Sequence, residues 1–289
     1  MPDTLGTELS KSSVRQLIMA GAVRVNGRPL RRPAQTLAAG DRIEAHVALA
    51  RLAESRAADE PFTITPKDVL YEDEWLLAVA KPPGISTVAT ADPRRPHVVA
   101  AVQEYLAGDS KRKTPPYVGV HHRLDRETSG VLLFTKDAAA NPALAQAFAA
   151  REVHKTYHAL TSRPATLPPV VWRVSGMMEV EGGESVEAET EFERLRVFPR
   201  ALLVEARPRT GRKHQIRIHL VSKGMPILGD ARYQNDPGAV AAPRLMLHAR
   251  ALRFLHPMTR REVRIESHQP DDFRRMLRAL AEDTPPRRR

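Results

Sequence analysis

The stretch HHRLDRETSG, residues 121–130, sets two imidazoles, two guanidiniums and two carboxylates within ten positions and runs straight into the apolar VLLFTK. Three chemistries compete for it. A metal site would draw on His121, His122 and Asp125, or on His214 and His219 of HQIRIHL. Such a site needs three or four ligands converging on one point. On a helix, however, two histidines five apart lie about 140° around the axis and do not share a face as an i, i+4 pair would. Serine chemistry would use Ser129, but TSG lacks the G-x-S-x-G elbow that exposes a nucleophile. The third is a lone carboxylate, Asp125, working as nucleophile or as base. A plainer reading makes Asp125 a turn cap. Either way, a carboxylate at the mouth of a buried strand is costly unless paired, so a cation from elsewhere in the chain is expected to face it.

The elements around these residues define a class of fold. Leu76–Ala80, KTYHALTSR, ETEFERLRV, ALLVEARPR, LMLHARALRF and EVRIES alternate as strands do. NPALAQAFAA reads as a helix with Asn141 as N-cap and Pro142 at the first position. HQIRIHLVSKG reads as a helix closed by Gly224, and DDFRRMLRALAE as a final amphipathic helix. Strands outnumber helices and are not regularly interleaved with them, which argues for an α+β domain on a mixed, largely antiparallel sheet. Residues 1–50 form a smaller unit. SSVRQLIMAG has helical spacing, VRVNGRPL carries the tight-turn pair Asn26-Gly27, and AAGDRIEAHV adds a further strand. Residues 51–60 read as a linker, and 61–289 as the larger domain.

Composition narrows the partners. The chain has 45 Lys and Arg against 34 Asp and Glu, a net charge of +11, which favours a polyanion. Two tracts concentrate this charge. Lys11, Arg15, Arg24, Arg28, Arg31 and Arg32 have no acidic residue among them, nor do Arg207, Arg209, Arg212, Lys213, Arg217 and Lys223. Of these, Lys11, Arg15, Arg24, Arg28, Arg212 and Lys213 are the expected nucleic-acid contacts. Cysteine is absent, which excludes disulfide scaffolds, thiolate metal sites and thiol nucleophiles. No run approaches the ~18 apolar residues of a membrane span, and the first residues lack a signal-peptide core. A cytoplasmic protein, monomeric and away from membranes, is expected.

HRLDRETSG, KTYHAL, GRKHQIRIHL, GMPILGD and LMLHARAL, in that order, resemble the RluA-type family of RNA pseudouridine synthases over about residues 68–267. The helix, G-x-V-x-V-N-G and G-D-x-I of the first unit resemble an S4-type RNA-binding domain. The resemblance implies a pseudouridine synthase fold and isomerisation of specific uridines in structured RNA, without cofactor or metal. Ribosomal RNA of the large subunit is the expected substrate and transfer RNA the alternative; a noncatalytic RNA-binding or ribosome-assembly protein on the same fold, and a metal-dependent RNA hydrolase, are the other classes. Carried across residue by residue, it implies Asp125 as the catalytic aspartate, Tyr157 against the target base and Arg217 as the cation paired with Asp125 through both arms of its fork. Leu247 becomes an apolar wall, and Arg123 the side chain that occupies the space left by a flipped base. Two segments depart from the family pattern: His256-Pro257-Met258-Thr259-Arg260-Arg261-Glu262, and Ile85-Ser86-Thr87-Val88 after KPPG.

Overall fold

The computed structural model describes residues 23–30, 35–45, 62–90, 92, 95–108, 114–179, 183, 185–234 and 239–282. The chain divides into two compact units, Met1–Pro61 and Phe62–Arg289. The helix expected within 12–21, the linker, and Lys11 and Arg15 lie outside the described residues.

In the first unit, β1 (Val23–Val25) pairs antiparallel with β2 (Arg28–Pro29) and with β3 (Ile43–Ala45). Asn26 and Gly27 both take positive φ, 51° and 78°, the geometry that lets a two-residue turn follow the twist of its strands. Asn26 also donates to Asp41 and accepts from the Arg42 amide. Val23 and Leu30 are buried, while Arg24 and Arg28 are exposed.

The second unit is built on a ten-stranded sheet. Its strands are β4 (Val69–Glu72), β5 (Leu76–Lys81), β6 (Gly119–Val120), β7 (Ser129–Thr135), β8 (His154–Ser162), β9 (Val171–Glu179), β10 (Ser185–Val197), β11 (Ala201–Pro208), β12 (Leu247–Leu255) and β13 (Glu262–Glu266). The order is β4-β5-β7-β12-β8-β11-β10-β9, with β6 beside β7 and β13 beside β12. Every described pairing is antiparallel except β7 with β12. The mixed, mostly antiparallel sheet expected from the sequence is therefore present.

Among the described residues, four helices pack on it: α1 (Val98–Ala107), α2 (Asn141–Ala149), α3 (Gln215–Val221) and α4 (Asp271–Glu282). β7 is the driest strand. Val131 and Leu133 pack with Leu144 of α2, whereas Leu132 and Phe134 pack with Val98 and Val102 of α1. All four side chains are fully buried, which contributes roughly 6–12 kcal/mol of transfer free energy at ~1.5–3 kcal/mol each. Tyr157 packs against two of the hydrophobic clusters, one holding α1 and one holding α3 and α4. Asn141 proves to be the first residue of α2 and not its cap. A 3-10 turn, Ala138–Ala140, precedes it, and Asp137 supplies the capping oxygen to the Ala139 amide. Gly224 follows α3 with φ 66°, as a helix stop requires. Among the described residues, no helix is long and apolar enough to cross a membrane.

Candidate active site

Asp125 stands in the loop between β6 and β7, and the loop is held from two sides. On one side, the Lys81 ammonium at the end of β5 donates to the carbonyls of Pro82, Ile85 and Arg126 at 2.8, 2.8 and 2.9 Å. Three carbonyls use all three of its N–H bonds. Lys81 is 1% exposed, and burial pulls its pKa down to about 7. The Gly84 amide also donates to the Arg126 carbonyl, and the Thr87 hydroxyl exchanges hydrogen bonds with the backbone of Leu124. On the other side, Arg244 donates to the carbonyl of Glu127 and is itself held by Asp272. Within the loop, the Thr128 amide closes a turn onto the Asp125 carbonyl. The turn then enters β7 through Gly130, whose φ is +121°. A Cβ there would lie 2.1 Å from the Ala249 carbonyl oxygen, so only glycine lets β12 come this close.

Arg217 of α3 reaches the loop: its Nη1 donates to Asp125 Oδ2 at 3.1 Å. The expected two-armed grip on Asp125 is not what forms. Nε and Nη2 of Arg217 instead donate to Oδ2 and Oδ1 of Asp230, both at 2.8 Å. Asp230 has a fully buried side chain, whereas Asp125 is 28% exposed. The drier carboxylate has more to gain from the fork, leaving a single N–H for Asp125. Oδ1 of Asp230 also accepts from the amides of Arg232 and Tyr233. Gly229 delivers it by passing within 1.9 Å, at its absent Cβ, of the Arg244 carbonyl. Tyr233 in turn lies under the guanidinium, 4.9 Å from ring centre to Cζ. Burial alone would lower the Arg217 pKa, but the bonds to Asp230 and Asp125 hold it above its ordinary value. Arg217 is a fixed cation.

His214 caps α3 in the left-handed region, at φ 57°. That places its Nε2 3.7 Å from Asp125 Oδ2 and its Nδ1 3.0 Å from the Tyr233 hydroxyl. Burial lowers its pKa, and the Asp125 charge opposes that. His219, which the helical spacing places on another face, pairs with Thr190 in the core. His122 is likewise structural. Its Nε2 accepts from the Leu133 amide, and burial followed by the Lys155 charge drives its pKa to about 3. Among the described residues, no three His, Cys, Asp or Glu side chains are grouped to hold a metal ion.

A cleft of about 950 Å³ opens over Asp125. It collects Arg123, Asp125, Tyr157, Arg212, Lys213, Arg217 and Leu247. Arg123, Arg212 and Lys213 are exposed along it, while Leu247 is buried. Burial first, and the Asp125 charge second, push the Tyr157 hydroxyl far above the ordinary tyrosine range, so it stays protonated. Arg24 and Arg28 belong to the first unit. Sequence reasoning assigned no role to Lys81, Asp230, Tyr233 or Arg244, and weighed His214 only as a metal ligand. Lys81 opens KPPG and Asp230 closes GMPILGD, but neither stretch tells what its charge pairs with.

The cleft is at the upper end of the ~300–1,000 Å³ typical of ligand pockets, and cations line it. Such a setting suits an anionic substrate. Comparison with known proteins names the family: the chain belongs to the RNA pseudouridylate synthases, whose profile matches residues 75–222, and an S4 domain matches residues 4–43. It is 31% identical to ribosomal large subunit pseudouridine synthase D of Xanthomonas campestris pv. campestris, over 96% of this chain and 86% of that protein. With ribosomal large subunit pseudouridine synthase C of Yersinia pestis it shares 33% identity, over 93% and 87%. The fold matches that of human RNA pseudouridylate synthase domain containing 4, with a TM-score of 0.62 at 23% identity, covering 81% of this chain and 97% of that one.

Proposed function

We propose that this chain converts specific uridines of large-subunit ribosomal RNA to pseudouridine, with Asp125 carrying the chemistry. The observation that supports it most directly is the Asp125 carboxylate, 3.1 Å from a guanidinium locked in place by a second carboxylate, at the base of a cationic cleft. The names of the chain's relatives favour ribosomal RNA over other RNAs.

The reaction breaks the N1–C1′ bond of uridine, turns the base, joins C5 to C1′ and releases the C5 proton while N1 takes one up. Substrate and product are isomers, so neither a redox partner nor a hydrolytic water enters the balance. Arg217 donates to the Asp125 carboxylate and fixes its position, from which it can act on the sugar or the ring. Tyr157, protonated and packed against two cores, serves as wall and hydrogen-bond donor for the turning base, and Leu247 adds an apolar wall. Extruding a base costs a few kcal/mol; phosphate contacts from Arg212 and Lys213, and from the S4 unit through Lys11, Arg15, Arg24 and Arg28, offset that cost. Arg123, exposed at the mouth, fills the gap in the RNA. The enzyme acts as a cytoplasmic monomer.

Asp125→Asn tests the reading. Tritium release from RNA labelled at uridine C5 reports C5–C1′ bond formation. The variant should fold and bind RNA yet release tritium at least a thousandfold more slowly, roughly the scale of losing an essential nucleophile or base. Turnover within tenfold of wild type would sink it.

A further inference from the structure

Lys155, a half-buried cation of the cleft, faces no carboxylate among the described residues. Lys155 lies on β8, two residues before Tyr157 and so on the same face of the strand, roughly 6.6 Å away along it. Its Nζ stands 5.9 Å above the centre of the Phe148 ring at the end of α2. It also lies 3.3 Å from where a Cβ on Gly211 would be. Among the described residues, no carboxylate comes within 4.0 Å of that nitrogen. Its neighbours are served otherwise. Arg217 has two carboxylates, Lys81 three carbonyls, and Arg212 Nε the Glu187 carbonyl. Lys155 is half-buried, and burial lowers its pKa with no acidic group opposing that. A desolvated ammonium without a counterion is a standing cost.

Its position suggests what removes the cost. Lys155 and Pro208 line both the Asp125 cleft and an adjoining groove of about 670 Å³ that carries Arg151, the Arg209–Glu189 ion pair, Glu191 and Glu205. A strand of RNA whose base is turned into the cleft must carry its own backbone over this junction. Gly211, exposed and without a side chain, leaves the approach open. We infer that Lys155 Nζ binds a backbone phosphate of the target nucleotide or of the nucleotide next to it, fixing the extruded unit over Tyr157 and Asp125. This rests on the reading of the chain as an RNA isomerase. The phosphate is the negative charge the ammonium lacks, and the two meet only when the base has entered.

Lys155→Met isolates the charge, because its unbranched stem keeps the packing on Phe148; Lys155→Gln is a second neutral replacement, and Lys155→Arg restores the cation. Each is measured against wild type for binding of a convertible RNA fragment across salt concentrations and for tritium release. The neutral variants should lower the slope of log K against log salt by about 0.7–0.9, the equivalent of one phosphate, and cut kcat/KM by about tenfold or more, while Lys155→Arg keeps the wild-type slope. Fragments with one linkage at a time made neutral as methylphosphonate then locate the phosphate. One linkage beside the target should weaken wild type and leave Lys155→Met unaffected. An unchanged salt slope in both neutral variants, or equal sensitivity of wild type and Lys155→Met at every linkage, overturns the proposal. If wild type is active and these fail, only the phosphate site falls; if wild type itself releases no tritium from any RNA, the isomerase reading falls with it.

Discussion

Arg217 serves two carboxylates at once, so Arg217→Met should have two separable effects. Asp230 would keep its backbone donors from Arg232 and Tyr233 but lose both arms of the guanidinium. Its side chain is fully buried, and removing one member of a buried ion pair costs about 3–5 kcal/mol. That is a large share of the ~5–15 kcal/mol of an ordinary domain. Asp125 would lose one charge-assisted hydrogen bond, worth about 1.5–3 kcal/mol, which slows the chemical step roughly 10- to 160-fold. The two effects separate in Arg217→Met/Asp230→Leu. Replacing a whole buried pair by apolar side chains is often neutral, so this variant should regain stability to within about 1 kcal/mol of wild type without regaining turnover. Urea unfolding followed by circular dichroism measures the first quantity, and single-turnover tritium release the second. A single variant as stable as wild type, or a double variant with restored turnover, refutes the division of labour drawn here.

Chelation should leave isomerisation unchanged; activity lost in EDTA and restored by a defined metal would favour an RNA hydrolase instead. A chain beginning at Phe62 should keep Asp125-dependent activity on saturating RNA fragments but bind long RNA with a shallower salt slope, by about 0.7–0.9 for each phosphate no longer held. Unchanged affinity and slope would leave the first unit a mere cap. His248 is buried, 3.0 Å by Nδ1 from the Ser129 hydroxyl and 3.1 Å by Nε2 from the Ser267 carbonyl, and burial pushes its pKa down to about 4. The folded state therefore binds fewer protons than the unfolded one between about pH 4 and 6.5, and stability rises with pH across that window. Up to about 3 kcal/mol should be lost on acidification, and His248→Gln should flatten the profile; an equally steep profile in the variant would count against it.

Much of this site was legible because charge and dryness meet abruptly at HRLDRETSG. The loop and β7 follow from that contrast. The need for a cation at Asp125 follows from the cost of an unpaired carboxylate, and the resemblance of HQIR to its family named Arg217. The period of DDFRRMLRALAE likewise marks the final helix, which runs Asp271–Glu282. What could not be read depends on closure in space. Nothing local tells which carboxylate wins the fork of Arg217, because Asp230 becomes the drier one only once Gly229 packs under Arg244. The helix α1 went unread since His97, an unusual cap, supplies the nitrogen that accepts from the Ala100 amide. The edge strand β9 was missed as well: it follows Pro168-Pro169 and contains Gly176, and its extended form depends on the long β10 beside it.

The parallel pairing of β7 with β12 bears on how the protein comes to life. Ser129 and His248 are 119 residues apart, and pairings of such long separation form late because their loop-closure entropy must first be met. During synthesis the nascent chain can build the antiparallel pair of β5 and β7 earlier, since Lys81 and Arg126 are only 45 apart. Arg217, Asp230 and Arg244 all follow from far downstream. The Asp125 loop thus stays unfinished until β12 has left the ribosome, and a chain released prematurely before residue 244 would carry the whole HRLD segment without an ordered site.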